Sequence, residues 1–153
     1  MDYKNDISFL IDSTLNLYEH QSTWNPNMPL RGLGYFARLY EDYVRLNELN
    51  IYPLLFLPLV ENAFKYVGGD YQLDIIMKWE NNRISLFIRN SIPELSAEDE
   101  ALRKSVDKRQ RKGIGLVNLR RRLSLLYPNK HRLETRKEET EFVAELMIEI
   151  EDI

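Results

Sequence analysis

Pro58-Leu59-Val60-Glu61-Asn62-Ala63-Phe64-Lys65-Tyr66-Val67 is the stretch on which the fold turns. At helical spacing, Val60, Ala63, Phe64 and Val67 fall at i, i+3, i+4 and i+7 and form an apolar stripe. Glu61, Asn62 and Lys65 gather on the opposite face, because residues three and four apart are neighbours on a helix. An acid, an amide and a cation on one flank can serve a metal-bound phosphate. The acid polarises water, the amide oxygen joins a magnesium shell, and the ammonium neutralises phosphate oxygens. The same residues can also form an ordinary i,i+4 Glu–Lys pair on a solvated face, and this segment alone favours that plainer reading.

A second stretch shifts the balance. Arg111-Lys112-Gly113-Ile114-Gly115-Leu116 opens another helical pattern, with Leu116, Leu119, Leu123 and Leu126 on one side. Glycines before a helix let backbone amides approach an anion, and the helix start supplies unpaired N–H groups and partial positive charge. The macrodipole contributes only about 0.3–1 kcal/mol, so several amides and cations must converge to hold a polyphosphate. The spacing is not that of a Walker loop, which needs Gly-x-x-x-x-Gly-Lys-Ser/Thr.

Taken together, the two stretches resemble the ATP-binding catalytic domain of a sensor histidine kinase of the LytS-type branch, in which LVENAFKH and GIGLxNxxxRLxxLYP patterns recur. Here they read Leu59 to Tyr66 and Gly113 to Pro128. The resemblance implies an α+β fold: a two-layer α/β sandwich of Bergerat type, with a mixed sheet and helices on one face. It implies Mg²⁺ and ATP as cofactors. Asn62 is then the magnesium ligand, and Glu61 and Lys65 lie beside the phosphates as the catalytic pair. Asn90, Arg111, Lys112, Gly113, Ile114, Gly115 and Leu116 line the nucleotide. The resemblance covers residues 51–150, and residues 1–50 make an atypical N-terminal strand with an inserted helix.

Composition agrees with one compact domain. A chain of 153 residues can bury a single core, and 44% hydrophobic with 29% charged residues is ordinary for a globular protein. A formal charge of −3 gives no reason to expect nucleic acid. With no cysteine there can be neither a disulfide nor a thiolate metal site. No apolar run reaches the roughly 18–20 residues of a membrane span, and no signal peptide is visible. These features suit a cytoplasmic domain without direct membrane contact, belonging by the resemblance to a membrane-anchored receptor that is homodimeric in its full length.

Hydropathy patterning predicts the order of elements. Ile7, Phe9 and Ile11 alternate as a first strand, and Asn25-Pro26-Asn27-Met28-Pro29 breaks the chain. Tyr35 to Asn50 reads as a helix with Phe36, Leu39, Tyr40, Tyr43 and Leu46 on one stripe, and Leu54 to Val67 as the motif helix. Leu73 to Trp79 and Ile84 to Ile88 alternate on either side of Asn81-Asn82, which suits a left-handed turn. Gly68-Gly69 suits a helix end followed by a turn. Leu116 to Tyr127 is the second motif helix, stopped by Pro128-Asn129. Leu133 to Lys137 and Phe142 to Ile150 form a closing hairpin.

Asn90 to Lys112 is a polar segment whose second half is basic, with Arg103, Lys104, Lys108, Arg109, Arg111 and Lys112 against Asp107. It reads either as a solvated loop or, by its place before Gly113, as the ATP lid, with a short helix expected over residues 97–106.

The chain departs from the family pattern in three places. Asn90-Ser91 stands where many histidine kinases carry an Asp-x-Gly-x-Gly segment that meets adenine. An amide oxygen can still accept from an amino group, but without charge assistance, so weaker nucleotide affinity is expected. Asn90 could instead simply turn the strand end. Tyr66 replaces a His common in the branch, and packing on the sheet is its simplest role. The third departure is about thirty extra residues, Tyr18 to Asn50, which have no counterpart.

His20 and His131 are the chain's histidines, and neither lies in a PHFLFN-like stretch where the phosphoacceptor is expected. His131 is expected in a surface turn. The chain should therefore bind ATP without phosphorylating itself. Its implied partners are an upstream dimerisation domain bearing the acceptor His and, through the intact kinase, a response regulator. Two alternatives stand beside this reading. One is a degenerate Bergerat module that acts only in protein contacts. The other is an anti-sigma-factor type of serine kinase, against which Arg120-Arg121-Arg122-Leu123 and Leu126-Tyr127-Pro128 argue.

Overall fold

A computed structural model describes residues 7–11, 14–20, 28–52, 54–94 and 114–150 of the chain. In order these form β1 (Ile7–Ile11), β2 (Thr14–His20), α1 (Met28–Leu46), α2 (Leu57–Tyr66), β3 (Gln72–Glu80), β4 (Arg83–Ser91), α3 (Ile114–Leu126), β5 (His131–Lys137) and β6 (Glu141–Glu149). The strands build one six-stranded sheet in the order β1-β2-β3-β4-β6-β5.

Every neighbouring pair is antiparallel, which corrects the expectation of a mixed sheet. The connections explain this. Two helices, α1 and α2, lie between β2 and β3, and the paired passes bring the chain back antiparallel. One helix, α3, lies between β4 and β5, which do run parallel to each other. However, β6 sits between them in the sheet, so no parallel pair touches.

Side chains alternate across the sheet with a period of two, and the register aligns the apolar set on one face. Ile75, Ile88 and Ala144 form one cross-strand row, and Met77, Leu86, Leu146 and Leu133 form the next. All of these are buried, together with Ile84 and Ile148. The helices cover this face with Phe36, Tyr40 and Tyr43 from α1, Leu59, Val60, Ala63 and Phe64 from α2, and Leu119 and Leu123 from α3. The opposite face carries cross-strand ion pairs such as Arg83–Glu149 at 2.9 Å and Arg136–Glu145 at 3.1 Å. Exposed pairs are worth about 0–1 kcal/mol each, whereas burying a large apolar side chain is worth about 1.5–3 kcal/mol. The helix-covered face therefore holds the fold together.

Local chemistry sets the boundaries. Asn81 and Asn82 have φ of 52° and 58°, the left-handed pair expected between β3 and β4. Gly69, at φ 62°, turns the chain after α2, as expected. Asn129 (φ 58°) ends the α3 segment. The stripes on α2 and α3 are also seen, with Val60, Ala63, Phe64, Leu119 and Leu123 buried and Val67, Leu116 and Leu126 half-buried.

Three expectations are corrected. β2 was missed, so the N-terminal region is a hairpin rather than a lone strand. α1 starts at Met28, within the supposed break, and ends at Leu46, which is 62% exposed rather than on the core stripe. Pro29 falls in its first turn, where a missing N–H is harmless. Gly32 in α1 is a close contact: a Cβ there would stand 2.1 Å from Cε1 of Phe64, so the α1 backbone lies directly on that ring. α2 spans Leu57–Tyr66, shorter than the expected Leu54–Val67, because Leu54 takes φ 58° and cannot join the helix.

Candidate functional site

The site is built around α2. Its core stripe fixes the helix on the sheet, and its outward flank carries the polar residues. Asn62 is half-buried, while Glu61 and Lys65 are exposed. Glu61 and Lys65 do not pair with each other. Instead the Lys65 ammonium sits 5.3 Å from the centre of the Tyr66 ring, a cation–π distance. Tyr66 is four residues from Asn62, so this contact draws the lysine toward the Asn62 flank and leaves Glu61 apart. Tyr66 itself is half-buried at the helix end.

The N-terminus of α3 meets the start of α2. A Cβ on Gly115 would stand 4.0 Å from the Pro58 Cβ, and Pro58 lies one turn before Asn62 on the same flank. Ile114 and Gly115 are exposed there and Leu116 is half-buried. The first turn of α3 thus lies beside the Asn62 flank of α2. Arg111, Lys112 and Gly113 lie outside the described residues, as do the lid segment 95–113 and the helix expected over 97–106.

The other end of α2 is locked to the end of β4. The Gly68 amide donates to the Ser91 carbonyl at 3.0 Å, and the Ser91 hydroxyl donates to the Gly68 carbonyl at 2.6 Å. The same hydroxyl accepts from the Gln72 amide at 2.9 Å. A Cβ on Gly68 would meet the Pro93 ring at 2.7 Å, so glycine is needed for this approach. The bond between Ser91 and Gly68 was not read from the sequence, where Gly68-Gly69 marked only a helix end and turn. The Ser-Ile-Pro run after a strand is the signal that could have drawn attention to them.

Asn90 precedes Ser91 on the helix-covered face of β4, opposite Leu73 on one side and Phe142 on the other. It is 1% exposed and the buried polar residue of the described core. Its side-chain N–H donates to the Ser91 carbonyl at 3.2 Å, while its Oδ1 is buried without a hydrogen-bond partner among the described residues. A buried acceptor with no donor costs about 1–3 kcal/mol, so this oxygen is a position where a ligand N–H would be rewarded. The bond to the Ser91 carbonyl fits the strand-end role considered for Asn90, and the orphaned oxygen fits the ligand-facing one.

The remaining expectations place as follows. His131 is the first residue of β5, not part of a turn, and its Nδ1 is 2.7 Å from the Tyr127 carbonyl, which makes that nitrogen a donor. His20 ends β2 opposite Gln72. The Arg120 guanidinium donates to the Leu133 carbonyl at 3.0 Å and ties α3 to β5. Among the described residues no group of three or more His, Asp or Glu is placed to hold a metal ion. A single amide such as Asn62 is compatible with magnesium, which keeps several waters and takes phosphate oxygens as ligands. No helix among the described residues is long and apolar enough to cross a membrane. A shallow depression on the uncovered sheet face is lined by Ser85, Phe87, Arg132, Glu134, Glu145 and Met147. Its charges are paired, Arg132 with Glu134 and Arg136 with Glu145, so it offers less to a polar ligand than Asn90 does.

The chain matches no protein-family model, no curated protein and no solved structure.

Proposed function

We propose that this chain is the ATP-binding catalytic domain of a LytS-type sensor histidine kinase, with a Bergerat-type fold. The observation that carries the reading is the buried, unpartnered Oδ1 of Asn90, on the same face of the sheet as the helix that bears Asn62. The base end of a nucleotide would meet Asn90, whose oxygen accepts from an exocyclic amino group. The triphosphate end would lie along α2 toward the start of α3. There the backbone amides from Ile114 onward would offset its charge, with Asn62 midway along the helix and the Lys65 ammonium one turn nearer the Asn90 end. α2, ten residues at about 1.5 Å per residue, is roughly 15 Å long, enough to separate the two ends.

Asn62 is the residue that would hold magnesium from the protein side, and the ion would supply charge neutralisation for the phosphates. The chain's own work is positioning: α2 and α3 orient the phosphates, and Glu61 stands at the exposed edge where an acceptor would arrive. The γ-phosphoryl leaves ADP and forms a P–N bond to a His on a separate dimerisation domain. From there it passes to an Asp on a response regulator. Neither His20 nor His131 replaces that acceptor.

A second reading, a degenerate module that only contacts proteins, draws on the uncharged Asn90 in place of a carboxylate. Incubating the chain with γ-labelled ATP, magnesium and a helical hairpin fragment bearing the acceptor His tests both. Label on the hairpin, lost with Asn62→Ala, supports the kinase reading. A hairpin left unlabelled by a chain that binds no nucleotide supports the other.

A further inference from the structure

On the helix-covered face, Asn90 shares a cross-strand row with Leu73 of β3, Phe142 of β6 and Lys137 of β5. Burial falls along this row. Leu73 is fully buried, Asn90 is 1% exposed, Phe142 is half-buried and Lys137 is exposed. The core therefore walls off the orphaned Oδ1 of Asn90 on the β3 side, and the approach to it lies on the β6 side. The first side chain on that approach is the Phe142 ring, which packs on the margin of the core while part of it stays exposed.

We propose that the Phe142 ring is the stacking surface for the base of the bound nucleotide. The inference rests on the nucleotide reading of the site and adds a residue to it. A hydrogen bond from an amino group to an uncharged amide fixes one point of a base and leaves its plane free to turn. A ring face beside that point fixes the plane. Side chains stand roughly perpendicular to a sheet, and directly opposed Cβ atoms are about 4.5–5.5 Å apart. A base standing over Asn90 thus stands beside Phe142 at a separation where aromatic rings pair, about 4.5–7 Å between centroids. Leu73, on the other side of Asn90, offers no ring and is packed in the core. Tyr66, at the end of α2, holds the Lys65 ammonium 5.3 Å from its ring centre, so that ring serves the cation. Every base has a π-face, so stacking is tolerant of base identity. Selection among bases then falls to Asn90, and affinity for the base falls largely to Phe142.

Titrating the whole chain and its variants with ATP and magnesium tests this. Phe142→Leu keeps an apolar side chain but removes the ring face. It should bind ATP about 5–150-fold more weakly, the loss expected for one base–aromatic stack. Phe142→Tyr restores the ring and should bind close to wild type. Phe142→Trp should also bind, and ATP should quench its emission more than that of the wild-type chain, whose tryptophans are Trp24 and Trp79. A Phe142 that only fills the core gives no added quenching. If Phe142→Leu fails to fold, the Phe142→Trp measurement still decides. Phe142→Leu that binds ATP as wild type does, or Phe142→Trp that binds ATP without added quenching, overturns the proposal and leaves the nucleotide reading standing. A folded wild-type chain that binds no ATP overturns both.

Discussion

The Ser91 hydroxyl joins the Gly68 carbonyl, at 2.6 Å, to the Gln72 amide, at 2.9 Å, and so fastens the end of α2 to the β3–β4 ladder. Without it the Gln72 amide would lose this partner, while the Gly68 carbonyl would keep only its bond from the Tyr71 amide at 3.1 Å. Ser91→Ala should lower stability by about 1–2 kcal/mol, the range for stranded, partly buried polar groups. Urea unfolding measures this as a lower midpoint with an unchanged slope. Because Asn90 is the neighbouring residue, the same change should also weaken nucleotide binding.

Gly32 and Gly34, two residues apart on α1, should respond to alanine in opposite ways. At Gly32 an added Cβ would stand 2.1 Å from the Phe64 ring, which is itself fully packed. Gly32→Ala should cost about 1–3 kcal/mol through overpacking. At Gly34 an added Cβ meets nothing within 4 Å. Gly34→Ala should gain up to about 1 kcal/mol from helix propensity. Thermal unfolding of the two variants against wild type shows the signs directly.

Asn90 should trade stability for binding. Its Oδ1 is buried without a partner, so replacing the amide by an apolar group of similar size removes an uncompensated polar atom. Asn90→Leu should fold at least as stably as wild type yet bind nucleotide roughly 5–150-fold more weakly, the equivalent of about 1–3 kcal/mol. Urea unfolding and an ATP titration of the same sample test both halves. A residue needed only for the fold would lose stability instead.

Burial raises the Tyr40 hydroxyl to about 12, with the neighbouring Tyr127 adding to the shift. Tyr43 and Tyr127 are also raised, chiefly by burial. An unfolded tyrosine ionises near pH 10. Between about pH 10 and 12 the unfolded chain releases protons that the folded chain retains, so stability falls as pH rises. The contribution is fully present below about pH 10. Tyr40→Phe should flatten this alkaline loss in a melting-temperature series without abolishing it. At neutral pH it should cost little, because the Tyr40 hydroxyl is buried without a hydrogen-bond partner.

Much of the fold was legible because local chemistry and tertiary packing agree. The Asn81-Asn82 turn, the alternation of β3 and β4, and the leucine stripe of α3 all specify their elements without outside help. The start of α1 was hidden because Gly32 and Gly34 oppose a helix locally, and only the Phe64 ring across the core explains the first of them. β2 was hidden in Thr14 to His20, where its partners are β1 and the distant β3. The mixed sheet was wrong because strand insertion, here β6 between β4 and β5, depends on long-range pairing that no short stretch records. At the candidate site, motif position singles out Asn62 and Asn90. The orphaned oxygen of Asn90 and the Ser91–Gly68 lock could not be read that way, since burial and partners belong to the folded chain.

Calorimetric titration of the chain with ATP, with and without magnesium, tests the central claim most directly. The account predicts saturable binding that needs magnesium, disappears in Asn62→Ala and weakens in Asn90→Leu. Wild-type chain that is folded yet takes up no heat at millimolar ATP and magnesium, or Asn62→Ala that binds as wild type does, would contradict it.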